Sequence, residues 1–134
     1  MLLSVAGAAS AVGVGFALSS LAPCRPKTNN PSAPPSYVFS IVWTTLYLLQ
    51  GASLVNSASP VQLLLLLGMF VIEFLWPFLY CMNRRYAFFV LPPLCILSIL
   101  LALIGDNLWA RFTGGVTGVW IVYAMFLGQR DLLE

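Results

Sequence analysis

The sequence predicts an all-α membrane protein in which residues 1–134 form one domain, a bundle of five transmembrane helices. Three observations lead to this prediction. The chain is 60% hydrophobic and only 7% charged, whereas soluble domains carry about 25% charged residues. Five apolar runs are each long enough to cross a bilayer as a helix. Segments rich in proline, glycine and asparagine separate several of these runs and interrupt helices.

The first helix is predicted over residues 2–21, an uncharged run rich in Ala, Gly and Ser. Small residues recur every four positions in two stripes, Gly7–Ala11–Gly15 and Ala9–Gly13–Ala17. Because such stripes let helices approach closely, we expect this helix to be packed inside the bundle. A cleaved signal peptide is the alternative, but no Lys or Arg precedes the run and the run is longer than a usual signal core.

The second helix is predicted over residues 37–55, after a proline-rich loop over residues 22–36. Trp43, Tyr47 and Gln50 are spaced four and three residues apart and therefore share one face. Two aromatic side chains and an amide on one side of an apolar helix indicate a face that meets something other than lipid. Ordinary packing between helices is the alternative interpretation.

The third helix is predicted over residues 61–82, and one of its faces carries functional groups. That face contains Glu73, Trp76, Pro77, Tyr80 and Arg84. Pro77 predicts a kink or a free carbonyl. Glu73 is an acid placed well inside an apolar span, which costs about 2.5–3.5 kcal/mol on insertion scales. We expect Glu73 to face the bundle interior, either in a local hydrogen-bond network or towards a ligand.

The fourth and fifth helices are predicted over residues 86–104 and 112–127. Two adjacent prolines near the start of the fourth predict a kink or a break. In the fifth, Trp120 and Ala124 share a face, and two threonines lie on the same side. Glycines at positions 114 and 118 form another small-residue stripe. The polar tail over residues 129–134 is expected to lie in water.

The basic residues predict an orientation in the membrane. With five crossings, one side receives Arg25, Lys27, Arg84, Arg85 and Arg130. The other side receives Arg111. Since positive residues accumulate in the cytosol, the C-terminus is predicted to be cytosolic and the N-terminus to lie on the opposite side.

Several function classes are disfavoured by what the sequence lacks. There is no histidine, so the commonest metal ligand and general base are missing. The basic residues are not clustered, which argues against nucleic-acid binding. The three cysteines form no C-x-x-C pair and are odd in number, so we expect no disulfide framework. Cys81 and Cys95 are predicted to be small apolar residues inside helices.

Three motifs resemble the TspO/translocator protein family, also called the peripheral benzodiazepine receptor family. The segment PPSYVFSIVWTTLYLLQG is similar to the family pattern P-P-x-W-V-F-x-x-V-W-T-x-L-Y-x-x-M-G. In the third helix, the family motif is N-x-x-W-x-x-x-F-F followed by an Arg. The corresponding residues here are Glu73, Trp76, Tyr80 and Arg84. Trp120 and Ala124 match W-x-x-x-A in the fifth helix. The resemblance covers most of the chain in order.

The resemblance implies a receptor or translocator that binds tetrapyrroles, sterols such as cholesterol, and benzodiazepine-type ligands within the bundle. The residues expected to line the pocket are Trp43, Tyr47, Glu73, Trp76, Tyr80, Trp120 and Ala124. No cofactor is obligatory, and porphyrin or haem would be a ligand held by stacking on aromatic rings. The resemblance further implies the outer mitochondrial membrane as location in a eukaryotic cell.

Departures from the family pattern change some of these expectations. The family Asn is Glu73 here, which alters the charge that a ligand would meet. The first loop lacks tryptophan, on which porphyrin breakdown would depend, so we expect no enzyme activity. A homodimer is possible by resemblance, but Leu64 replaces one glycine of the G-x-x-x-G that ends at Gly68. Two alternatives remain, a small proton-coupled transporter that uses Glu73 and a structural membrane subunit.

Overall fold

The computed structural model describes residues 2–24 and 36–133, which form an all-α, multi-pass membrane bundle. The helices are α1 Leu2–Leu21, α2 Ser36–Val55, α3 Pro60–Met82, α4 Arg84–Phe89, α5 Leu91–Ile104 and α6 Leu108–Leu133. Five segments are long and apolar enough to cross a membrane, because α4 and α5 together make the fourth crossing. The predicted fold class is therefore confirmed.

The fourth crossing is broken at Val90, as its prolines predict. Pro92 and Pro93 occupy the first turn of α5, where a missing N–H group costs nothing. The short α4 begins after Asn83, whose side-chain oxygen accepts a hydrogen bond from the Arg85 N–H group at 2.9 Å. The fourth crossing therefore consists of two helices, and the break between them lies just before the two prolines.

The last helix is longer than predicted at both ends. Asn107 Oδ1 accepts a hydrogen bond from the Ala110 N–H group at 2.9 Å and caps the first turn of α6. At the other end the helix continues to Leu133, so the segment after Gln129, expected as a polar tail, is helical. Leucine, glutamine and arginine all have good helix propensity, which is sufficient to extend the helix beyond the apolar span.

The prediction that α1 is packed inside the bundle is wrong, because α1 lies at its periphery. Of the two small-residue stripes, the one containing Ala11 and Gly15 is buried against α2, whereas Ala9, Gly13 and Ala17 remain exposed. α1 thus has one protein-facing stripe and an otherwise lipid-facing surface. In a membrane, small residues on that surface cost little, since lipid contacts replace protein contacts.

The main core is formed by α3, α5 and α6, with α2 packed against it. Its buried residues are Leu65, Leu66, Met69, Leu91, Leu94, Cys95, Leu101, Ala110 and Ile121. α5 and α6 approach closely at Gly114, where an added Cβ would lie 2.6 Å from the Ser98 carbonyl oxygen. Gly68 faces Leu97 of α5 within the same chain, which leaves it less available for a dimer contact.

The loops at one end of the bundle are tied together through Asp106. Its Oδ2 accepts hydrogen bonds from the N–H groups of Ala58 at 2.7 Å and Ser59 at 3.0 Å. These residues immediately precede α3, so the α5–α6 loop caps the start of another helix. A hydrogen bond from the Ser59 side chain, followed by that from Ala58, holds the pKa of the Asp106 carboxyl below its usual value.

A disulfide joins Cys24 and Cys81, with their Cα atoms 5.7 Å apart. The expectation of no disulfide, and of an unpaired Cys81, is therefore wrong. α1 and α3 cross in the same direction and end at the same side of the bundle, which brings residues 57 positions apart together. An odd number of cysteines excludes the pairing of all of them, but it does not exclude a single disulfide. Cys95 is free and buried inside α5, as predicted.

We predict that Gly114→Ala destabilises the bundle while the neighbouring Gly115→Ala does not. A Cβ at Gly114 would press on the backbone of α5, whereas a Cβ at Gly115 meets nothing within 4 Å. Overpacking of this kind costs about 1–3 kcal/mol. The measurement is thermal unfolding of the two variants in detergent. Equal unfolding midpoints would contradict the close α5–α6 approach.

Candidate functional site

Three tryptophans from three helices pack against the same core cluster. Trp43 of α2, Trp76 of α3 and Trp120 of α6 are each partly buried. Because alternate crossings run in opposite directions, these positions fall in the half of the bundle where α1 and α3 end. We call Trp43, Trp76 and Trp120 the aromatic layer.

Ring contacts join the aromatic layer to neighbouring helices. Phe39 of α2 meets Trp120 of α6 edge to face, with ring centroids 5.5 Å apart. Such edge-to-face pairs contribute about 0.5–1.5 kcal/mol beyond the area that they bury. Trp43 lies 5.8 Å from Tyr47 between ring centroids. α2 therefore connects the layer with both α6 and the α1 side of the bundle.

Tyr47 is buried between α1, α2 and α3. Its ring lies 6.3 Å from that of Phe16 and 5.7 Å from that of Phe74, measured between centroids. It belongs to a smaller buried cluster with Ala11 and Phe70. Of the predicted site residues, Tyr47 is thus the one most engaged in packing α1 onto the bundle.

Trp76 and Tyr80 lie at the corner between α3 and α4. The Trp76 indole N–H group donates a hydrogen bond to the Ala87 carbonyl oxygen at 3.1 Å. The Trp76 and Tyr80 ring centroids are 5.5 Å apart, and the Arg84 guanidinium carbon lies 5.8 Å from the Tyr80 centroid. The polar atom of Trp76 is therefore already paired, so this residue offers an aromatic surface rather than a hydrogen-bond donor.

A second set of residues, on the same three helices, forms a buried polar layer. We give this name to Gln50 of α2, Glu73 of α3 and Thr117 of α6. Gln50 Nε2 donates hydrogen bonds to Glu73 Oε1 at 2.8 Å and to Thr117 Oγ1 at 3.3 Å. Glu73 is only 2% exposed, which confirms that it faces the bundle interior. The predicted local hydrogen-bond network is therefore present.

The polar layer lies directly beneath the aromatic layer. Glu73 precedes Trp76 by three residues and Thr117 precedes Trp120 by three, which is about 4.5 Å along each helix. Gln50 follows Trp43 by seven residues on the oppositely directed α2, which is about 10 Å. On all three helices the polar residue is thus displaced in the same direction, towards the end that contains the Asp106 loop.

Three buried polar atoms at these two layers have no hydrogen-bond partner among the described residues. They are Gln50 Oε1, Glu73 Oε2 and Trp120 Nε1. In addition, Pro77 cannot supply the N–H group that would normally bond to the Glu73 carbonyl within α3. Leaving a buried polar atom unpaired costs about 1–3 kcal/mol. The described residues therefore leave part of these two layers without hydrogen-bond partners.

A chain of polar contacts leads from the Asp106 loop towards the polar layer. Gln62 Oε1 accepts from the Asp106 N–H group at 2.6 Å, and Gln62 Nε2 donates to Ser57 Oγ at 3.0 Å. Ser53 Oγ lies 3.3 Å from Thr113 Oγ1. Ser53 and Thr113 are one helical turn from Gln50 and Thr117, respectively. Polar side chains therefore occur at successive levels between the Asp106 loop and the polar layer.

Sequence periodicity indicated part of this arrangement. Gln50 and Thr117 were recognisable on the faces of Trp43 and Trp120, although their contact with Glu73 was not. Ala124, one helical turn after Trp120 in α6, is partly buried and packs against the main core. Ser53 and Gln62 gave no signal, because isolated polar residues near helix ends are usually hydrated. Their burial became visible only when the helices were assembled.

A separate shallow groove lies on the outer face of α6. It has a volume of about 400 Å³ and is lined by Phe112, Gly115, Val116 and Val119. These side chains are apolar, and several face the lipid. The groove contains none of the predicted site residues.

Comparison with known proteins gives no further assignment. A scan of protein-family models, a search of curated proteins and a search of solved structures each find no match. Within the described residues, no group of three or more His, Cys, Asp or Glu side chains could hold a metal ion. The resemblance to the TspO/translocator family therefore depends on the sequence motifs alone.

Proposed function

We propose that this membrane protein is a receptor or translocator-like protein that binds planar apolar ligands between α2, α3 and α6. The ligand classes are tetrapyrroles, sterols and benzodiazepine-type compounds, as the TspO resemblance implies. The observation that carries the proposal is the convergence of Trp43, Trp76 and Trp120 on one core above a polar layer with unpaired atoms. Ligand sites in helix bundles combine apolar walls with a few oriented polar groups.

Aromatic stacking would supply most of the ligand affinity. Indole rings offer large flat surfaces with little conformational freedom to lose, which suits a flat ligand. Trp120 also carries a buried N–H group that has no partner among the described residues, and this group would donate a hydrogen bond to an acceptor on the ligand. Porphyrin or haem would be a ligand rather than a cofactor in this arrangement, and we propose no enzymatic step.

A proton-coupled transporter is a second candidate, and one specific observation favours it. Glu73 is a buried carboxyl, and a series of polar side chains leads towards it from the Asp106 loop. Intramembrane acids of this type are typical of proton relays. The remaining alternative, a structural subunit, is less well supported, because the aromatic layer packs inside its own chain.

We propose that the C-terminus faces the cytosol, and that in a eukaryotic cell the protein resides in the outer mitochondrial membrane. The orientation follows from the excess of basic residues at that end, including Arg84 and Arg85. The Cys24–Cys81 disulfide lies at the same end, although cytosolic thiols are usually kept reduced. The basic residues thus favour the cytosol for this end of the bundle, whereas the disulfide favours an oxidising compartment. Cysteine labelling from each side of the membrane distinguishes the two orientations.

We predict saturable quenching of tryptophan fluorescence when the purified protein is titrated with protoporphyrin. Trp120→Ala should weaken binding by about 2- to 10-fold, the scale of one aromatic stacking interaction. The matched control is Trp109→Ala on the same helix, since Trp109 is 71% exposed and lies outside the aromatic layer. This control should leave the dissociation constant unchanged.

Two outcomes of this titration would count against the proposed site. One is quenching that rises without saturation in the unmodified chain, as expected for partition into detergent. The other is an equal loss of affinity in Trp120→Ala and Trp109→Ala, which would mean that the aromatic layer has no special role.

For the orientation, we predict that reduced Cys24 and Cys81 react with a membrane-impermeant maleimide only from the cytosolic side. Sealed vesicles of known orientation provide the measurement, in a Cys95→Ser background that removes the buried thiol. Labelling of vesicles that expose the non-cytosolic face would reverse the proposed orientation and agree with the disulfide instead.

A further inference from the structure

We infer that the polar layer is a subsite for a basic nitrogen on the ligand. A planar ligand that carries an amine or amidine would direct this group at Glu73 and Gln50 while its rings contact the aromatic layer. The inference rests on the proposed function, since it requires that planar ligands enter between α2, α3 and α6. It adds the chemical class of ligand that this chain selects.

Gln50 Oε1 needs a hydrogen-bond donor, and Glu73 Oε2 needs a partner that can accept its proton and then donate a hydrogen bond back. Gln50 Nε2 is already engaged with Glu73 Oε1 and Thr117 Oγ1, and this fixes the orientation of the amide. Gln50 Oε1 and Glu73 Oε2 have no partner in the described part of the chain, and both side chains are fully or almost fully buried. An amide oxygen only accepts hydrogen bonds, so a ligand with N–H groups fits this side better than one with only carbonyl or ether oxygens.

The carbonyl of Glu73 adds a further acceptor at the same level. In a regular helix it would accept from the N–H group four residues later, which is Pro77 and has none. Pro77 is buried, so this position faces the bundle rather than lipid. The Glu73 carbonyl therefore lacks the regular helical donor, at the same level as the unpaired Oε2 of its side chain.

Among residues 2–24 and 36–133, no basic side chain forms an ion pair with Glu73. The sequence contains no Lys, Arg or His between residues 36 and 83 or between residues 86 and 110. Arg84 belongs to α4, beyond the end of α3, and lies over the Tyr80 ring. The basic residues of α6, Arg111 and Arg130, flank its apolar span. Tyr47 of α2, a titratable side chain that packs against Phe74 beside Glu73, cannot supply a positive charge.

A bound amine would supply the missing charge without changing the net charge of the complex. An amine that enters in its neutral form takes the proton of the Glu73 carboxyl onto its nitrogen. The products are an ammonium and a carboxylate in contact, so one proton has moved from oxygen to nitrogen and nothing else has changed. The ammonium N–H groups then donate to Glu73 Oε2 and Gln50 Oε1, and such charge-assisted hydrogen bonds are the strong ones.

The test compares two planar probes that differ only in this group. The first is 9-(methylaminomethyl)anthracene and the second is its neutral ether, 9-(methoxymethyl)anthracene. Binding is followed by energy transfer from tryptophan to anthracene in detergent at fixed pH. The unmodified protein should bind the amine about tenfold or more tightly than the ether, the scale of one charge-assisted hydrogen bond.

Two variants test whether the preference for the amine probe depends on Glu73. Glu73→Gln should reduce the difference in affinity between amine and ether to about twofold or less. A glutamine amide has no acidic proton to transfer to the amine and cannot carry the negative charge. Asp106→Asn makes the same acid-to-amide change at the exposed loop and should retain the full preference. Protoporphyrin titration of Glu73→Gln checks that the variant still folds and binds by stacking.

The outcomes separate this inference from the proposed function. Equal affinity of the unmodified protein for amine and ether, with saturable protoporphyrin binding, would overturn the amine subsite and leave the proposed function intact. Retention of the amine preference in Glu73→Gln would also overturn it. Failure of all three probes to bind the unmodified, folded protein would overturn both. The first comparison needs no variant, so misfolding of Glu73→Gln cannot protect the inference.

Discussion

The hydrogen bond from Gln50 Nε2 to Glu73 Oε1, 2.8 Å long, is the interaction on which the arrangement of the bundle depends. A carboxyl group near the middle of a membrane span must avoid lipid, and this requirement fixes the rotation of α3 about its axis. Once Glu73 points inward, Trp76, one turn later, also faces the bundle. Gln50 and Thr117 then orient α2 and α6 in the same way, so that polar and aromatic layers lie one above the other.

Much of the fold could be predicted from the sequence, because lipid imposes strict rules on a chain. The length of the apolar runs defined five crossings, and the adjacent prolines predicted the break at Val90. Apart from the bounds of α6, the errors concern contacts between distant segments. Periodicity could show that α1 has small residues, but not that α2 and α3 would cover only one stripe of them. The Cys24–Cys81 disulfide was missed because it depends on which helices end side by side.

The candidate site was only partly predictable, for the same physical reason. Helical spacing placed Trp43, Trp76 and Trp120 on the polar or aromatic faces of their helices, and a buried acid has few environments that it can occupy. Which polar atoms remain unpaired depends on atomic distances between helices. These distances between helices identify the unpaired atoms of the polar layer. The inferred preference for a ligand with a basic nitrogen follows from those atoms and is not visible in any single helix.

The most direct test of the central claim is photo-crosslinking with a planar aromatic probe that carries a diazirine, followed by mass spectrometry of the adducts. If a flat guest lies between the indoles and above the polar layer, adducts should map to the inward faces of α2, α3 and α6 and should disappear when protoporphyrin competes. Adducts confined to the groove around Gly115, or to the exposed stripe of α1, would contradict this account.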